Sequence, residues 1–267
     1  MLTRCLPSLR RHLVCLLIAA LVPAASGAQT TETGWIALFN GKDLKDWIPK
    51  FTGSALGINL RDTFGVDNGI LRVSYEDWDV FNGEFGHLFY KSAFSHYRLH
   101  VEYRFVGSQL AQGPAWAIRN NGLMLHSQDP ATMTLDQEFP VSIEAQLLGG
   151  DGVNPRPTGN VCSPGTHYLF RGALFTPHCQ NSSSATYAGD QWVSLDIEVR
   201  SDELIRHLVN GELVFEYSGP QLDPADADAQ RLLAAGQGLA LRGGFIAIQA
   251  ESHPTEFRKI ELLPLDP

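Results

Sequence analysis

The stretch FPVSIEAQLLGG, residues 139–150, decides the reading of this chain. As a β-strand, its period of two sends Ile143, Ala145 and Leu147 to one face and Glu144 and Gln146 to the other. One face is a core, while the other holds an acid and an amide that a core does not need. Just upstream, GLMLHS (122–127) alternates in the same way, with Leu123 and Leu125 on one side and Met124 and His126 on the other. Pairing of these two strands brings a histidine, a carboxylate and an amide to one sheet face. Those are the residue types with which a site binds a sugar or moves a proton.

Outward from this pair the same period recurs. HYRLHVEYRF (96–105) puts Tyr97, Leu99, Val101, Tyr103 and Phe105 on one face and charged residues on the other, which reads as a solvated sheet surface. WVSLDIEVR (192–200) sends Val193, Leu195, Ile197 and Val199 inward. Two hairpins are signalled by their turns, Asp67-Asn68-Gly69 within residues 64–75 and Asn210-Gly211 within residues 204–217. Short strands are expected at 35–39, 86–90, 244–250 and 257–263, and only DPADADAQRLLAA (223–235) reads as helix. Many short strands separated by turns, with so little helix, predict an all-β sandwich. Residues 149–187, rich in Gly, Pro, Ser and Asn, read as one long loop, a kind of segment that more often carries function than fills space.

The first 28 residues have Arg4, Arg10 and Arg11, then an apolar run from Leu13 to Val22, then small residues ending at Ser26-Gly27-Ala28. This is the layout of a secretory signal peptide, so the expected mature chain is a single domain over residues 29–267, exported to the periplasm or beyond the cell. No later stretch approaches the ~20 apolar residues of a membrane-spanning helix. Loss of those three arginines leaves 17 basic against 29 acidic residues, a net charge of −12. That balance argues against nucleic acid and anionic membrane as partners.

Cys5 and Cys15 depart with the leader, and Cys162 and Cys179 remain. In an exported chain they most simply form one disulfide. A metal-thiolate pair completed by His167 or His178 is the competing reading.

Taken in order, LFNGKDLKDW (38–47), YRLHVEYRF (97–105), RNNGLMLH (119–126), FPVSIEAQLLGG (139–150), DQWVSLDIEVR (190–200), VNGELVFEY (209–217) and GFIAIQAESHPTEFRKIEL (244–262) resemble the 3-keto-disaccharide hydrolase domain family. The resemblance runs from about residue 34 to the C-terminus. It implies a concanavalin-A-like jelly-roll of two antiparallel sheets with a concave face that accepts carbohydrate. It implies activity on glycosides already oxidised at C3, admits dependence on a divalent metal, and calls for no organic cofactor.

A ketone at C3 acidifies the C2 hydrogen, so the C1 substituent can leave by elimination and water can then add to the enone. Such a site needs a base and an electrophile for the enolate oxygen, rather than the carboxylate pair of ordinary glycosidases. Glucanases of this fold place three acids in an E-x-D-x-x-E run, whereas residues 144–149 read EAQLLG, with one. The expected catalytic residues are His126 and Glu144, one as base and one as orienter or metal ligand. Gln146, Arg119, Trp116, His167, Glu251 and His253 are the expected substrate contacts. A lectin-like, non-catalytic sugar-binding domain is the rival reading.

Overall fold

The computed structural model describes residues 34–267, so the expected leader lies outside the described residues. In chain order the first strands are β1 (Ile36–Ala37), β2 (Trp47–Phe51), β3 (Phe64–Asp67), β4 (Ile70–Val73), β5 (Gly86–Tyr90) and β6 (His96–Phe105). Then come β7 (Asn120–Ser127), β8 (Ile143–Leu148), β9 (Asn160–Cys162), β10 (Thr166–Phe170), β11 (Ala173–Phe175) and β12 (Cys179–Gln180). The last are β13 (Val193–Arg200), β14 (Leu204–Val209), β15 (Glu212–Leu222), β16 (Phe245–Ala250) and β17 (Thr255–Pro264), with one helix, α1 (Ala227–Ala234).

The strands form two antiparallel sheets, as expected. One runs β12-β9-β8-β7-β16-β5-β2, and the other β11-β10-β15-β14-β13-β6-β17-β4-β3, with β1 beside β17. The predicted alternation is what joins them. Tyr97, Leu99 and Val101 of β6 and Leu195, Ile197 and Val199 of β13 face Leu123, Leu125, Ile143, Ala145 and Leu147 of the smaller sheet in a single apolar core. The opposite face of β6 is a ladder of cross-strand ion pairs, Arg98 with Glu198 at 3.1 Å and Arg104 with Glu256 at 2.7 Å, and is solvated as expected.

Both hairpin turns have the left-handed backbone that their sequences predict, with φ of 48° and 82° at Asn68-Gly69 and 48° and 84° at Asn210-Gly211. Helix α1 is shorter than the predicted 223–235, because Asp223 to Ala225 form a turn and the Asp226 carboxylate caps the helix through the Asp228 and Ala229 amides. The segment 149–187 departs further from expectation. It carries β9 to β12, short strands that extend both sheets at one end, so its polar composition marks sheet edges rather than one open loop. Among the described residues, no helix is long and apolar enough to cross a membrane.

Candidate active site

On the face of the smaller sheet turned away from the core, the strand register lines up a polar row. Asn160 pairs with Gln146, and Gln146 with Gly122. Gln249 lies beside Gly122 and pairs with His87, which pairs with Lys50. A neighbouring row is mostly apolar, with Met124, Ala247 and Phe89 covered by Met133 and Phe245. Glu144 interrupts it, paired with Met124 on one side and Cys162 on the other.

Gly122 is the gap that lets the polar groups converge. A Cβ there would stand 2.3 Å from Glu144 Oε1 and 2.7 Å from Gln249 Oε1, closer than real atoms approach. The missing side chain is thus the space in which the Glu144 and Gln249 side chains meet.

Above this face lies a cavity of about 550 Å³. Glu144, Gln146, Asn120 and Glu251 supply its polar lining, and Arg156 and His178 reach it from the segment between β8 and β12. Trp116 and Phe139 form an aromatic wall through Phe85, which stacks on Trp116 (5.9 Å, 16°) and tilts against Phe139 (4.8 Å). Trp116 is nonetheless 53% exposed, so one indole face is open to a ligand. The Cys162–Cys179 disulfide closes the far side, with Cys179 paired to Cys162 across β12 and β9.

The electrostatics are those of a buried acid pair. Burial raises the Glu144 carboxyl well above the usual range, and the nearby Glu251 raises it further, against a hydrogen bond from the Gln249 amide. Burial raises Glu251 to about 8. Both carboxyls are pushed towards the protonated form, so the pair holds at least one proton at neutral pH, and ionisation of one leaves an acid and a base in the same site. Beside them, Asn120 Oδ1, Gln249 Oε1 and Glu251 Oε2 are buried with no donor. Acceptors left open in this way suit a ligand rich in hydroxyl groups.

Of the residues expected from sequence, Glu144, Gln146, Trp116 and Glu251 line the cavity, and the other four do not. His126 does not share the face of Glu144. A β-bulge sets in between β7 and β16, His126 takes a φ of 47°, and its ring turns through the sandwich to the Ser201 carbonyl at 3.0 Å. Burial then lowers its pKa, which favours the neutral ring, and its nitrogen is engaged away from the cavity. His167 sits on β10 in the larger sheet, 3.3 Å from Asp223. His253 packs edge-on against Phe105 of the core, its pKa lowered to about 4 by burial and by Arg119 and Arg156. Arg119 spends its guanidinium on the Gly150 carbonyl.

Sequence reasoning missed Gln249, Asn120, Phe139 and Arg156, and read His178 only as a partner of the cysteines, not as a wall of this cavity. Gln249 carried a usable signal, since GFIAIQA alternates like the opening stretch and places its one amide on the same side. Arg156, whose Nη1 donates to the Gly149 carbonyl at 2.9 Å, carried none, because its position depends on how an irregular segment folds back.

The ligand sets suggested for a metal do not form. His126 and Glu144 diverge, and the one cluster of three such groups among the described residues, Cys162, His178 and Cys179, has its two sulfurs joined to each other. Glu144 Oε1 and Gln249 Oε1 both face the gap at Gly122, oxygen donors of the type that a hard divalent ion takes.

The sequence of residues 34–263 matches the model of the 3-keto-alpha-glucoside-1,2-lyase-like domain. The chain belongs to this family. Among solved structures, a candidate glycosyl hydrolase from Parabacteroides distasonis ATCC 8503, solved at 1.70 Å, is similar at a TM-score of 0.52 and 18% identity, over 90% of this chain and 99% of that one. A second candidate glycosyl hydrolase from the same organism is similar at 0.51 and 16%, over 86% and 99%. At such identities the likeness is one of fold. A search of curated proteins finds no match. Membership of the 3-keto-alpha-glucoside-1,2-lyase-like family associates the chain with carbohydrate, and the jelly-roll expected from the sequence agrees with the two sheets.

Proposed function

We propose that the cavity binds a 3-keto-glycoside and breaks its C1–O bond by elimination. The observation that carries this reading is the buried Glu144–Glu251 pair, two carboxyls pushed towards the protonated form in a cavity that also presents an open tryptophan face. The ionised carboxyl takes the C2 proton, whose electron pair moves into an enolate at C3. Collapse of the enolate forms the C1–C2 double bond and expels the C1 oxygen, which takes the proton held by the other carboxyl. Addition of water to the enone then completes a hydrolysis. Arg156, on the cavity wall, supplies positive charge for the enolate oxygen.

Trp116 offers a stacking surface for a sugar ring, and Gln146 is held for hydrogen bonding by Asn160, whose Nδ2 donates to Gln146 Oε1 at 2.9 Å. A divalent ion held by Glu144, Glu251 and Gln249 would add electrophilic stabilisation of the same oxygen. The test is release of aglycone from p-nitrophenyl 3-keto-glucoside, with and without chelator, by wild type and by Glu144→Gln and Glu251→Gln. Turnover by the wild type and its loss in both variants supports the reading. Binding without turnover under any metal condition returns the domain to the lectin-like class.

A further inference from the structure

Beyond the cavity, the polar row continues under a cover. His87 is wholly buried, and neither ring nitrogen has a hydrogen-bond partner. It lies on the same face as Gln249, its register neighbour, whose Oε1 is also unpartnered. His87 and the cavity share a neighbour, Phe139. Phe139 meets the His87 ring edge-on at 5.8 Å while lining the cavity with its other side. A buried imidazole with two idle nitrogens calls for an explanation, because native interiors almost always pair such atoms.

The cover is the segment 128–140, and its attachment is sparse. Its own hydrogen bonds are internal and cluster at its base, where Gln128 Oε1 accepts from Gln137 Nε2 at 2.8 Å and from the Val141 amide at 2.7 Å. Its hydrogen bonds to β2 and the turn after it end on one atom, and Asp136 adds an electrostatic attraction to Lys50. The Leu135 carbonyl accepts from Lys50 Nζ and from the Gly53 amide, both at 2.9 Å, while the Leu135 side chain is 55% exposed. Buried Pro130 and Pro140 pin its two ends, while residues 131, 132 and 134–136 between them are exposed and only Met133 and Phe139 pack onto the sheet or its aromatic neighbours, as in a segment that opens locally between fixed ends.

We propose that this segment is a lid and that His87 beneath it binds the leaving group of the substrate, once Phe139 swings aside. This rests on the elimination reading for the reacting sugar and adds where the second sugar goes. His87 stands one strand beyond β16 and three beyond β8, or ~14 Å from the strand of Glu144 at ~4.8 Å per strand. Glu251, just past the end of β16, is nearer, one strand across and two residues along, so His87 lies to one side of the carboxyl pair rather than between its members, at the place of a sugar joined to the reacting ring. Burial lowers the His87 pKa to about 3, so its ring is neutral and offers one donor and one acceptor, the pair that a sugar hydroxyl satisfies.

The test compares a 3-keto-disaccharide with p-nitrophenyl 3-keto-glucoside, which lacks the second sugar, on wild type and His87→Leu. Leucine removes the idle nitrogens and keeps an apolar filling, so the variant folds, with an unchanged or raised Tm. kcat/KM on the disaccharide falls about tenfold, the worth of one or two neutral hydrogen bonds, and that on the aryl glycoside changes less than about threefold. Calorimetric Kd values for the disaccharide and the free 3-keto monosaccharide provide a reading that needs no turnover. If catalysis is absent but His87→Leu still weakens only the disaccharide, the elimination reading falls and this one stands. A variant whose losses are equal for both ligands, or whose affinities match those of the wild type, absence of binding included, overturns it.

Discussion

Glu144 on β8 and Glu251 just beyond β16 are separated by a single strand, β7, and line the same cavity, each buried to within 5% of full enclosure. The strand between them passes under as Gly122, which leaves the space above it to the flanking side chains. A conventional glycosidase also uses two carboxyls, but as partners flanking the bond in sequence-local or opposed positions. Here both carboxyls are pushed towards the protonated form, which suits holding and passing a proton.

The first prediction is the effect of neutralising that pair. Glu144→Gln and Glu251→Gln each lower kcat by about 10²–10⁴, the usual worth of a general acid or base. Steady-state kinetics on a 3-keto-glycoside checks it, and the double variant should be little worse than either single one because the two act as a unit.

Stability against pH follows from the same shifts. A carboxyl whose pKa is higher folded than unfolded binds more protons in the native state, so its contribution is complete below the unfolded value of ~4.5 and is lost as pH rises. For Glu251 the loss runs up to about pH 8. In chelated buffer, Tm of the wild type relative to Glu251→Gln should therefore fall between about pH 4.5 and 8. A difference that is flat or rises over that range contradicts the assigned burial.

Gly122→Ala separates packing from chemistry. The new methyl must displace both Glu144 Oε1 and Gln249 Oε1, at a stability cost of about 1–3 kcal/mol for overpacking. Activity should fall by more than that stability loss explains, as read by kcat on protein shown to be folded by circular dichroism.

His126→Ala should behave in the opposite way. Its ring bridges the sheets to Ser201, away from the cavity, so the variant loses Tm and keeps kcat per folded molecule. A large fall in kcat at unchanged Tm would return His126 to the catalytic list.

Breaking the Cys162–Cys179 bond, which spans 17 residues, removes about 3 kcal/mol on the chain-entropy account. Cys162→Ser with Cys179→Ser should lower Tm by roughly 6–12 °C in a domain of this size. Mass spectrometry of the purified protein without reduction should find the linked peptides.

The sandwich was legible because alternation is a backbone property: the residues read as inward on β6, β7, β8 and β13 are those of the core. Both glycine turns were legible for the same reason. The site was half legible. Glu144 and Gln146 followed from strict alternation, and Trp116 and Glu251 were found among more candidates than the cavity accepts. His126 was misplaced because a bulge shifts the period by one, and no residue type in GLMLHS announces it. His167, His253 and Arg119 look like site residues by chemistry, but burial and partner choice, which depend on long-range packing, assign them elsewhere. Arg156 and the short strands β9 to β12 were hidden in a polar stretch whose pairings are set by the sheets it joins.

The central claim is proton removal from C2 beside a ketone, and isotopic substitution there tests it most directly. Given p-nitrophenyl 3-keto-glucoside with hydrogen or deuterium at C2, the protein should release nitrophenol more slowly from the deuterated compound and should leave the unoxidised p-nitrophenyl glucoside untouched. Equal rates with the two isotopes in a single turnover, or cleavage of the unoxidised glucoside at a comparable rate, would contradict it.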